Sequence, residues 1–190
     1  MAESRWAWGG VVGPTVFVFA WMVAGTVEDG YSQADEAISR LAAVGASTRA
    51  PVSAALVVLG TGMLMFAAAV RQSAGGRWAA SAAMVTGLAT IGVAATPLGW
   101  TAAVDDLHGV LAVAGYASLA AVPMLAARGA RLPVPVRLSM AVGIAGLACL
   151  LASVIGTVAP GALQRAGLTI VHAWVVFVAL RLARSRTPNE

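Results

Sequence analysis

Six stretches of this chain run for roughly the thickness of a bilayer with almost no charge: residues 6–27, 51–71, 78–97, 107–127, 138–159 and 163–183. A helix rises 1.5 Å per residue, so about 20 apolar residues cross a hydrocarbon core of about 30 Å. Lipid offers no hydrogen bonds to a backbone, so such runs satisfy themselves as helices. The fold class follows: an all-α, polytopic membrane protein, a bundle of six transmembrane helices in one membrane domain spanning residues 1–190. Composition agrees, with 59% of the 190 residues apolar and 11% charged, where soluble domains carry about a quarter charged. The first run is longer than a secretory signal core and is read as a retained first helix. Pro14 and Pro123 fall inside spans, where proline is tolerated and kinks the helix.

The basic residues are all arginine, and their distribution sets a topology. Arg5, Arg71, Arg77, Arg128, Arg131, Arg137, Arg181, Arg184 and Arg186 fall on one side of the six spans, and Arg40, Arg49 and Arg165 on the other. The positive-inside rule then expects both termini in the cytoplasm and the protein in the cytoplasmic membrane. Glu28, Asp29, Asp35, Glu36, Asp105 and Asp106 gather on the opposite, outer side. In this setting a basic balance indicates topology and gives no reason to expect a nucleic-acid partner. Cys149 is the single cysteine and has no intrachain partner with which to form a disulfide.

The first outer connection is too long for a simple turn. Ser32 can cap a helix with Asp35 three residues on, Ala34, Ala37, Ile38, Leu41 and Ala42 recur at helical spacing, and Gly45 suits the stop. A short surface helix near residues 32–44 is therefore expected, with Glu36 and Arg40 spaced to pair.

Chemistry is concentrated near the outer boundary. Asp105 and His108, three apart, share a face of the fourth span, whereas Asp106 points elsewhere. Arg165, Thr169 and His172 form a stripe on the sixth span, with His172 about 10 Å deeper than Arg165. A histidine within a span turns inward, because a polar ring facing lipid costs several kcal/mol. If the fourth and sixth spans meet, Asp105, His108 and His172 make a His, His, carboxylate set that would take zinc or pass a proton, with Asp106 as base or orienting group. Arg165 would then neutralise Asp105 or Asp106, or hold an anionic headgroup, and Ser39 and Arg40 would form a lid. With two histidines in the chain, a three-histidine zinc site is excluded. No HExxH, CxxC, nucleophile or phosphate-loop motif is present. No ionisable relay runs through the spans, which counts against an ion pump or proton-coupled carrier.

The chain resembles the six-span membrane proteins of the Domain of Unknown Function 998 family. The resemblance is carried by Ile38-Ser39-Arg40-Leu41, Pro51 opening the second span, His108-Gly109 opening the fourth, and Gly161-Ala162-Leu163-Gln164-Arg165 opening the sixth, with Trp174 following. Family members often have Asp where this chain has Arg40. The resemblance implies a six-helix bundle, draws attention to Ser39, His108 and Arg165, and implies no activity.

Three functions are weighed. The first is a non-enzymatic accessory subunit that binds membrane lipids or a partner membrane protein, expected as a filled bundle. The second is a metal-dependent or acid/base lipid hydrolase at the outer leaflet, expected to show a one-sided outer pocket. The third is a small-molecule transporter, expected to show a continuous polar cavity.

Overall fold

The computed structural model describes residues 2–73, 75–129, 132, 134–156 and 158–184. Arg131 and Arg186, used in the topology argument, lie outside the described residues. Six helices follow one another: α1 (Ala2–Val27), α2 (Arg49–Arg71), α3 (Arg77–Ala95), α4 (Ala102–Gly129), α5 (Val136–Ile155) and α6 (Pro160–Arg184). All six are long and apolar enough to cross a membrane, and no strand occurs among the described residues. Bounds agree with the apolar runs to within a few residues, except that α4 starts at Ala102, so Asp105 lies in its first turn.

Each helix packs on the next and α6 packs back on α1, which closes the bundle into a ring. Consecutive antiparallel helices put the start of α1 and the end of α6 at one end. The long α1–α2 connection and the α3–α4 and α5–α6 turns lie at the other, the capped end. Helices α4 and α6 touch only lightly.

With apolar residues facing both lipid and interior, the helices meet by close approach of small residues. A β-carbon added to Gly62 in α2 would lie 2.5 Å from the carbonyl oxygen of Gly9 and 2.9 Å from the α-carbon of Gly13, both in α1. Polar side chains finish the joints: Thr86 Oγ1 and Ser118 Oγ share a 2.9 Å hydrogen bond between α3 and α4, and Trp174 Nε1 donates to Ser139 Oγ at 3.1 Å between α6 and α5. Towards the end where α1 begins, the ring is filled by fully buried Met63, Phe66, Val175 and Val178.

The connection over the capped end corrects the expected surface helix. Only Ile38–Ala42 is helical, as a single 3-10 segment, and Ile38 and Leu41 are buried beneath it. The Ser32 turn does form: Ser32 Oγ donates to Asp35 Oδ2 at 2.6 Å and accepts from Asp35 N–H at 3.2 Å. It runs no further because the carbonyls that would propagate a helix are engaged elsewhere. Ala34 accepts from Ala162 N–H at 2.9 Å, and Gln33 and Glu36 accept from Arg165 Nη1 at 2.7 and 2.9 Å. Tertiary bonds to α6 outcompete the local ladder.

Candidate functional site

The start of α6 is built to hold this cap. Gly161 lets the helix approach so closely that a β-carbon there would lie 2.4 Å from the Glu36 carbonyl oxygen and 2.8 Å from that of Gln33. The first N–H groups of a helix lack partners within it, and the Ala34 carbonyl supplies one. One turn on, Gln164 accepts from Ile38 N–H at 2.9 Å through Oε1 and donates to the Tyr116 hydroxyl through Nε2, tying the cap to α6 and α4.

Arg165 sits at the centre of this arrangement, 7% exposed. Its Nη1 also donates to the Gly161 carbonyl at 3.0 Å, and its Nη2 donates to the Tyr31 hydroxyl. The guanidinium carbon lies 5.3 Å from the Trp21 ring centre and 5.5 Å from that of Tyr31, within cation–π range. The Tyr31 hydroxyl in turn donates to the Glu36 and Ala37 carbonyls, at 3.2 and 3.0 Å. Burial raises the Tyr31 pKa, opposed by the nearby Arg165 charge, so the phenol stays a donor. The expected Arg165–Asp105 or Arg165–Asp106 pairing is therefore not made. Four hydrogen bonds commit Arg165 to the cap and to α6, and the α1–α2 connection supplies three of them.

The carboxylates near the capped end also serve the fold. Asp105 Oδ1 accepts from Gly99 N–H at 2.8 Å and closes the α3–α4 turn, while Asp106 is exposed. Glu28 accepts four hydrogen bonds from Ser47 and Thr48 at 2.7–3.2 Å and so ties the end of α1 to the residues just before α2. The Ser47 side-chain bond is the largest cause of a Glu28 pKa held below its ordinary 4.5. A Ser/Thr pair just before a helix and a carboxylate at the previous helix end was the available clue. Arg40 is exposed and pairs with Glu36 at 3.6 Å, as its spacing predicts. It forms no lid, because the pair lies on the cap's exposed side; Ser39 does line the cavity beneath.

That cavity, of ≈ 50 Å³, occupies the capped half of the ring. Phe17, Leu59, Val93 and Leu168 give it mainly apolar walls, with Ser39 above and both histidines on its sides. His108 Nδ1 lies 2.6 Å from the Thr96 carbonyl oxygen. A carbonyl only accepts, so Nδ1 carries the proton, and in the neutral ring Nε2 presents a lone pair. His108 Nε2 and both nitrogens of His172 are buried with no hydrogen-bond partner among the described residues. His172 meets Phe17 edge-on, ring centres 5.9 Å apart.

The expected metal set is not assembled. Both histidines reach the cavity, but among the described residues no group of three or more His, Cys, Asp or Glu side chains is placed to hold a metal ion. Asp105 is missing because its carboxylate turns back to Gly99. Thr169 leaves the expected stripe and lines instead a lipid-facing groove between α1 and α6, of ≈ 510 Å³, together with Pro14, Phe19, Ala173 and Phe177. His172 borders this groove as well as the inner cavity.

No curated protein and no solved structure matches the chain. Most of the segments that carried the resemblance build this end of the molecule: Ile38–Leu41 in the cap, His108 on the cavity wall, Gly161–Arg165 in the clamp; Trp174 lies further along α6, against Ser139 of α5. The family described as "Protein of unknown function (DUF998)" matches residues 11–181, and the chain belongs to that family.

Proposed function

We propose that the protein is a non-enzymatic lipid-binding protein of the cytoplasmic membrane, acting as an accessory subunit beside a partner membrane protein. One observation carries the reading: His172 stands on the wall between an inner cavity and a groove that faces lipid. The interior is thus next to the bilayer, and both spaces are lined mainly by apolar side chains, as a lipid chain requires. Two further features favour this reading over its rivals. The cavity stops at the filled half of the ring, unlike a transport path, and Asp105 and Arg165 are engaged in holding the fold, unlike hydrolase groups.

The arginine distribution supports a topology with the capped end outside and both termini in the cytoplasm. A reporter fused to the C-terminus is expected to be active only in its cytoplasmic form, and activity restricted to the outside contradicts the topology. Purification in mild detergent followed by native mass spectrometry tests the function. Lipid and a partner protein retained with the chain are expected, and a chain that consistently returns alone and lipid-free overturns the proposal.

A further inference from the structure

The groove and the cavity differ in what they can hold. The groove, at ≈ 510 Å³, has room for a chain, whereas the cavity, at ≈ 50 Å³, has room for only a few non-hydrogen atoms. A ligand that uses both is slender, with an apolar body between α1 and α6 and a small terminal group inside. His172 lines both spaces, with Phe17 edge-on against it on the cavity side, so the terminal group reaches the cavity past the His172 ring.

The chemistry of the terminal group follows from the cavity's polar atoms. His108 Nε2 offers a lone pair, since Nδ1 is engaged with the Thr96 carbonyl, and therefore wants a donor. His172, neutral in an apolar setting, has one N–H to give and one lone pair, and neither nitrogen has a protein partner. A buried polar group without a partner is costly, so a molecule that satisfies these atoms is favoured.

Charged terminal groups fit poorly. The buried cation Arg165 is not among the residues that line the cavity. Its Nε has no hydrogen-bond partner among the described residues, but both its terminal nitrogens are bonded to the cap, Gly161 and Tyr31, so a carboxylate or phosphate in the cavity would lack a countercharge on its walls. Among the described residues, no carboxylate lines the cavity to receive an ammonium. A hydroxyl fits, because it donates one hydrogen bond and accepts up to two.

Resting on the lipid-binding reading, we propose that the ligand is a neutral amphiphile with a terminal hydroxyl, which enters from the bilayer between α1 and α6, donates to His108 Nε2 and accepts from His172.

The chain has two histidines, so ¹⁵N-histidine labelling of protein without a histidine tag, held in nanodiscs, reports on these two rings alone. Dodecanol, dodecane and dodecanoate are the probes. Dodecanol is expected to shift the His108 Nε2 signal and a His172 nitrogen signal, while dodecane and dodecanoate leave both in place. His108→Asn keeps a donor for the Thr96 carbonyl but loses the inward acceptor, and is expected to weaken dodecanol binding about tenfold. Ala173→Trp fills the lipid-facing groove from its exposed side, leaves both rings intact, and is expected to abolish the dodecanol shifts even where a histidine variant fails to fold. Histidine signals unmoved by dodecanol, or moved equally by dodecane, overturn the hydroxyl proposal. If retained lipid is still found by native mass spectrometry, that failure leaves the lipid-binding reading standing; if none is found, both fall.

Discussion

Arg165 is a buried cation solvated by backbone carbonyls, a phenol and two aromatic faces, with none of its hydrogen bonds made to a carboxylate. Such a group is strongly favoured only while all its partners stay in place, so its removal exposes several buried acceptors at once. Arg165→Gln is expected to destabilise the folded protein by on the order of 3 kcal/mol, and Arg165→Lys to rescue little, because a point charge cannot replace the guanidinium fork. Thermal unfolding in detergent measures both; a lysine variant as stable as wild type contradicts the clamp. Glu28 gives a prediction in pH. Its carboxyl is held below its ordinary 4.5 in the folded state, so its contribution is fully present above about pH 4.5 and is lost as pH falls through the lowered native value. The stability gap between wild type and Glu28→Gln is therefore expected to be constant near neutrality and to close in acid. A gap independent of pH would show that the four hydrogen bonds do not depend on ionisation.

Elements differ in how far the sequence reveals them. The six helices are legible because lipid leaves an apolar run of that length no other way to satisfy its backbone. Their inward faces are harder to read, since lipid and interior are both apolar; the histidines betray theirs through the cost of turning a polar ring outward. The cap departs from its local pattern for a different reason. Its own residues carry a helical pattern, yet the groups that decide its shape, Gln164 and Arg165, bond to it across 126 to 132 residues of sequence. Asp105 and Arg165 were likewise legible as polar and near the boundary, while their partners were not, because a backbone N–H or carbonyl has no signature in sequence. Gly161 marks the joint between cap and α6. Alanine there improves helix propensity by about 1 kcal/mol, but its β-carbon would meet three cap carbonyls at 2.4–2.9 Å. Gly161→Ala is expected to cost about 2 kcal/mol net, and a stabilised variant would contradict the close approach.

For the whole molecule, the ring closes because α6 returns to α1, and at that closing seam His172 borders both the inner cavity and the outer groove. Towards the end where α1 begins the ring is filled by buried side chains, the other end is clamped by Arg165, and the cavity lies between, with His172 at the seam. The most direct test is native mass spectrometry of the protein released from the bilayer, comparing wild type with Ala173→Trp. Retained lipid on the wild type and its loss from a variant that still folds is the expected result; equal retention by both, or none on either, would contradict binding through the α1–α6 seam.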